Sequence, residues 1–237
     1  KSFKWLFEDS KSYYRQKHFL SYNGVPKYHR LALYNTIIKH NILDKFYISM
    51  GAFNEGTHLP HTMPEFDKSE VGAHFVKWEL PIIKKNFPLH LDIPNDGVLG
   101  TSFINSAVYF DSYIDIITSS AVSPGSVYLD EKICKSFPSF KPFIIIGECK
   151  TLKFLKDMGF KTFSPFIDES YDDVEDYDNR MSLIYSEILR ISKMTIKEID
   201  ELYWNMEDIL VHNFSQLSKF VHNINNDLIQ KVIKSYD

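Results

Sequence analysis

The chain has 237 residues, 44% hydrophobic and 24% charged, with 27 Lys and Arg against 31 Asp and Glu for a net charge of −4. This is the balance of a globular protein long enough to bury a substantial core, and it argues against a broad polyanion-binding surface. No apolar run approaches a membrane span, and Cys134 and Cys149 form neither a metal-type spacing nor a disulfide framework, so a reducing, cytoplasmic setting is expected.

Residues 1–17 are polar and aromatic without clean periodicity and read as a leading segment on the surface. The start at Lys1, neither Met nor a signal peptide, fits a piece of something longer. Residues 18–23 read as a short strand ending at the turn Gly24-Val25-Pro26. A helix follows from about Lys27 to Asn41, with Leu31, Tyr34, Ile37 and Ile38 at helical spacing. Phe46–Met50 is a second strand, which completes a β-α-β unit.

Residues 51–97 hold five prolines and scattered Gly and Asn, and read as a long irregular insertion. His58, His61, His74 and His90 lie here without the i, i+4 spacing of a helical zinc pair, and surface histidines are the simpler reading. Order returns with a short helix at 105–110 and a buried strand at 112–119.

The central stretch runs from Ser126 to Gly147. Residues Asp130 to Ser136 lack Gly and Pro and form a short helix, with Asp130 as its N-cap or first-turn acid. The run Phe143–Ile146, bounded by Pro142 and Gly147 and rich in β-branched residues, is a buried strand. A helix over Thr151–Met158 ends at Gly159 as C-cap, and 160–163 form a last short strand. An acidic turn at 168–178 leads into helices at about 178–193, 196–211 and 214–235, the second opened by a Thr195/Glu198 capping box. The pattern predicts an α/β fold. A Rossmann-like parallel sheet with its insertion occupies 1–167, and a helical C-terminal region, 168–237, packs on it.

In such sheets, polar side chains just after the strand C-termini converge on one ligand crevice. That places Asn23, Lys27 and Arg30 from the first β-α turn with Ser126, Glu131 and Lys132 from the later one. Fixed cations neutralise a departing diphosphate without reorganisation, which suits Lys132, Arg30 and Lys27. A carboxylate accepts well from paired ribose hydroxyls, which suits Glu131. Taken alone, Glu131-Lys132 reads as a solvated surface pair, and Lys27 and Arg30 equally as a charged helix face. An inverting transfer also needs a base; Glu55, His58 and Asp67 are candidates, whereas a retaining one needs none in that place.

The runs Tyr128–Gly147 (Y-L-D-E-K-I-C-K-S-F-P-S-F-K-P-F-I-I-I-G), Thr151–Phe163 and Ile167–Asp173 resemble a group of glycosyltransferases common in phages and large viruses. That group reads T-E-K-x-x-K-P, a hydrophobic strand, then Leu-x-x-Leu-Gly-Phe-x-Thr-Phe. The upstream S-Y-N-G-V-P-K-Y-H-R is similar to its Asn- and Arg-rich opening of the first helix. A more distant likeness is to the donor-binding half of α1,3-fucosyltransferases, of GT-B architecture, where the Glu and Lys of the comparable pair hold ribose and diphosphate. The resemblance covers about 18–40 and 105–213.

It implies a metal-independent transfer from a nucleotide-sugar, used as substrate with no cofactor, to a hydroxyl acceptor. It departs at Asp130, where the group has Thr, and in the loop S-P-G-S-V-Y before it, which leaves the sugar open. The chain is too short for two full GT-B domains. A non-catalytic nucleotide- or glycan-binding module with the same shell stays open beside the enzyme.

Overall fold

The computed structural model describes residues 3–51, 82, 84–89, 91, 104–120, 122, 125–129 and 131–234. Its centre is a four-stranded sheet of β1 (Lys17–Ser21), β2 (Phe46–Ile48), β3 (Ser112–Thr118) and β4 (Phe143–Ile146), ordered β2-β1-β3-β4. All three strand pairs are parallel, with Phe19 opposite both Phe46 and Ile114, and Ile116 opposite Ile144. Every residue of β3 and β4 is buried. Both faces of a parallel sheet are covered, which is why these strands read as continuous apolar runs rather than as alternations.

The helices are α1 (Phe3–Asp9), α2 (Tyr28–Lys39), α3 (Ser106–Phe110), α4 (Glu131–Ser136), α5 (Thr151–Asp157), α6 (Tyr177–Ser192), α7 (Ile196–Trp204) and α8 (Glu207–Lys234). The expected α/β architecture with helices closing the C-terminal end is therefore present. From β1, the crossover through α2 adds β2 on one side. The chain then returns past β1 to add β3 and β4 on the other. The direction of winding thus reverses between β1 and β3, and the C-terminal ends of those strands flank the topological switch point.

Three local expectations are corrected. The leading segment contains α1, whose one fully buried side chain, Phe7, stacks on Phe140 at 4.1 Å. One anchor on a seven-residue helix leaves no periodic signal. Residues 160–163 are not a strand, because side chains take their backbone groups. Asn213 bonds both the N–H and the carbonyl of Lys161 at 2.8 Å, and Glu169 Oε1 accepts from Phe163 N–H at 2.5 Å. Phe160 and Phe163 are buried there all the same, so the stretch has the aromatic and β-branched residues of a strand without its hydrogen bonds. Finally, α7 stops at Trp204 and α8 starts at Glu207, with fully buried Met206 between them. The capping box that starts α7 is present in both directions, Thr195 to Glu198 and back.

Opposite the switch point, the N-terminal edge of the sheet is held by a buried polar cluster. Arg15, 1% exposed, lies 3.9 Å over the Tyr203 ring and donates to Ser10 Oγ at 2.9 Å. Buried Lys141 donates to the carbonyl and the hydroxyl of Ser112. These contacts join the first helix to α7 beneath the strands.

Candidate functional site

The switch point is built first from the turn after β1. Asn23 is 4% exposed and uses its amide inside the wall: Nδ2 donates to Ser21 O and Oγ, and Oδ1 accepts from Thr118 Oγ1 at 2.6 Å. Its N–H donates to Ser49 Oγ at 3.0 Å, and Gly51 N–H donates to Gly24 O at 2.7 Å. A Cβ on Gly51 would stand 2.5 Å from that carbonyl, so only glycine allows the chain after β2 to press this closely on the turn. Asn23 therefore shapes the turn and ties β1 to β3.

Next comes the first turn of α2. Lys27 is its N-cap residue and makes no side-chain cap; its Nζ crosses instead to the Ser120 carbonyl just past β3. Arg30 donates through Nη1 to Val25 O at 2.9 Å and through Nη2 to Ser119 O at 3.4 Å. Between them lies His29, fully buried, with Nε2 2.9 Å from Ser119 O. Because a carbonyl only accepts, that nitrogen carries the proton of the neutral ring, and Nδ1 has no partner among the described residues. Burial pushes the imidazole down to about 3, reinforced by the charges of Arg30, Lys27 and Lys132 against the raising influence of the Ser119 bond.

Lys132 thus acts on the same imidazole as Lys27 and Arg30, although it comes from α4. It is 8% exposed, with Nζ 3.3 Å from Glu131 Oε1, while the Glu131 side chain is 40% exposed. The pair is not the fully solvated one that an isolated E-K dipeptide suggests: the cation is buried and only the carboxylate is open. Ser126 is exposed, one residue beyond Gly125, which turns the chain at φ 76°. No side-chain hydrogen bond joins it to the other five residues among those described. Asp130, Glu55, His58, Asp67 and most of the 51–97 insertion lie outside the described residues.

The edge beyond β4 has the opposite character. Asp172, 7% exposed, accepts from Leu152 N–H and Lys153 N–H at 2.9 Å each, so a carboxylate already fills the N-terminus of α5. Asp176 caps α6 by accepting from Asn179 N–H. The acidic turn at 168–178 is thus partly a set of helix caps, although Asp173 remains 79% exposed. Among the described residues no group of three or more His, Cys, Asp and Glu is placed to hold a metal ion.

Two buried residues missed by sequence reasoning complete this edge. Arg180, 2% exposed, donates to the carbonyls of Gly147, Val174 and Glu175, and stands 3.2 Å from Glu148 Oε1. Glu148 follows Gly147 at the end of β4 and also accepts from its neighbour's N–H, that of Cys149, at 2.9 Å. The only signal in the sequence was position: a charged residue two places after a buried strand.

The switch point therefore presents three cations beside the uncapped start of α2, on a wall of backbone carbonyls, with carboxylates beyond β4. Such an arrangement favours a ligand with an anionic centre and neutral, hydroxyl-bearing ends. Comparison with protein-family models, with curated proteins and with solved structures finds no match to this chain.

Proposed function

We propose that the chain is a glycosyltransferase of the kind encoded by phages and large viruses, acting in a cytoplasmic setting. It moves a sugar from a nucleotide-sugar donor to a hydroxyl of a glycan or other acceptor. What supports this reading is that Lys27 and Arg30 both reach backbone carbonyls just past β3, while buried Lys132 lies in the first turn of α4, which follows the same strand. A diphosphate bound there meets cations fixed in advance. The charge that develops on it as the glycosidic bond breaks is then stabilised without reorganisation. Arg30, held on two backbone carbonyls, is a preset donor, and Glu131, with its half-open carboxylate, accepts from ribose hydroxyls.

A non-catalytic binding module is favoured by one observation: the imidazole described at the crevice, His29, is wholly buried and sits too deep to deprotonate an acceptor. The base of an inverting enzyme would then come from elsewhere, Glu55, His58 and Asp67 being the sequence candidates. Calorimetry with UDP, GDP and their sugar conjugates tests the donor site, and binding of none of them rejects it. Release of free sugar or its transfer to an acceptor identifies the enzyme; binding without turnover identifies the module. No helix among the described residues is long and apolar enough to cross a membrane.

A further inference from the structure

The end of β4 lies against the end of β3. Ser119 N–H donates to Ile146 O at 3.0 Å, extending the ladder one step past the strands. A Cβ on Gly147 would stand 2.7 Å from Ser119 Oγ, so the two backbones meet here at glycine distance. Ser119 is also the residue whose carbonyl holds His29 and Arg30. Glu148 is the next residue after Gly147. Adjacent strands lie about 4.8 Å apart, so its backbone borders the crevice within a strand spacing or two of the cation wall.

The Glu148 side chain is 6% exposed; its ion pair and its backbone contact fall on one oxygen, and the Cys149 thiol also lies against the carboxylate. Oε1 is 3.2 Å from Arg180 Nη2 and 2.9 Å from Cys149 N. Neither the ion pair nor the backbone contact uses Oε2, and it is not among the fully enclosed oxygens left without a partner. A carboxylate anchored by one oxygen to a buried guanidinium, with the other left open, is oriented at low entropic cost. Facing a diphosphate it would repel. Facing neutral hydroxyls it accepts charge-assisted hydrogen bonds, and a few such fixed polar groups decide which ligand a site takes.

Resting on the donor-site reading above, we propose that Glu148 is a specificity-determining residue. Its open carboxylate oxygen accepts from hydroxyls of the polyol that is esterified to the diphosphate held by Lys27, Arg30 and Lys132. Two sources share that chemistry, the ribose of the nucleotide and the sugar to be transferred. Glu131 is the more open carboxylate and Glu148 the deeper one, so the two read different parts of one ligand.

The test is calorimetry on wild type and Glu148→Gln with four probes: inorganic pyrophosphate, UDP or GDP, the matching 2′-deoxynucleoside diphosphate, and UDP-glucose or GDP-mannose. Gln keeps the length and still accepts from Cys149 N–H through its one oxygen, but the other position becomes an NH2 that cannot accept. The variant is expected to bind pyrophosphate as wild type does or more tightly, and to lose about tenfold on a polyol-bearing probe. A loss seen with the ribonucleotide and absent with its 2′-deoxy form assigns the ribose. A loss confined to the sugar nucleotide assigns the transferred sugar.

Glu148→Asp, which keeps Arg180 paired with a charge while withdrawing the oxygen, should show the same selective loss and guards against a Gln variant that does not fold. Unchanged affinity for all probes in both variants overturns the proposal while leaving the donor site standing. An equal loss that includes pyrophosphate overturns it too, since Glu148 would then act only through the fold. If wild type binds none of the probes, the donor-site reading falls and takes the proposal with it.

Discussion

Replacing Lys132 with Met removes one charge and keeps most of the buried stem. The side chain is 11% exposed and its Nζ stands 3.3 Å from Glu131 Oε1, whose side chain is 40% exposed. A pair so open on one side contributes little to folding, so the unfolding free energy should stay within about 1 kcal/mol of wild type. Binding should respond far more. A hydrogen bond to a charged group contributes about 1.5–3 kcal/mol, which converts to a roughly 10- to 150-fold weaker Kd for a nucleoside diphosphate. Glu131→Gln should lose less, because its partners would be neutral hydroxyls.

Titration calorimetry at two ionic strengths reads both the affinity and its cause. Wild type should weaken with salt more steeply than Lys132→Met, since screening acts on a charge that the variant lacks. An internal reporter is available in His29, held at about 3 partly by Lys132; its titration, followed by NMR, should move upward in the variant. A shifted His29 with an unchanged Kd would separate the electrostatics from the ligand and refute the role of Lys132. An unmoved His29 would refute the convergence of the three cations as well.

Two further outcomes follow from the buried charges. Arg180→Met strands the Glu148 carboxylate, whose side chain is 6% exposed, and should cost about 3–5 kcal/mol of stability by chemical denaturation, much of it recovered in the Arg180→Met/Glu148→Gln double variant. Burial, reinforced by the charge of Arg15, holds the Lys141 amine well below its ordinary value of 10.5. Because Ser112 Oγ already donates to Val108 O at 2.6 Å, Lys141 donates to both Ser112 oxygens, which occupies the two N–H bonds of a neutral amine. The unfolded chain then binds more protons than the native one between the lowered native pKa and 10.5, so this group makes stability rise with pH in that window. As pH rises toward 10.5, wild type should gain stability relative to Lys141→Met, by at most about 1.4 kcal/mol per pH unit; parallel profiles would mean that the buried amine is charged.

How much was legible beforehand follows from which interactions are local. The buried runs of β3 and β4, the α2 crossover that makes β1 and β2 parallel, and the Thr195/Glu198 cap were readable because each is written within a few consecutive residues. The placing of Lys27 and Arg30 after β1 and of Lys132 after β3 was readable for the same reason, since each follows its strand directly in the chain. The α1 helix was not, because its one anchor, Phe7, finds its partner at Phe140. The false strand at 160–163 had β-prone residues, but Asn213 and Glu169 supply its hydrogen bonds from elsewhere in the chain.

Burial and pairing of charge are where tertiary structure alone decided. Nothing near Lys132 in sequence distinguishes a solvated lysine from one 8% exposed, and nothing near Glu148 announces a guanidinium 32 positions away. His29 was passed over because a histidine in a helix's first turn carries no local mark of neutrality. That state arises from complete burial and from three cations arriving from two separate turns. Apolar patterning along the chain determines which elements form and which faces they bury. Desolvation and Coulomb interactions are set by distance in space, so the chemistry of the crevice was decided only when those elements packed.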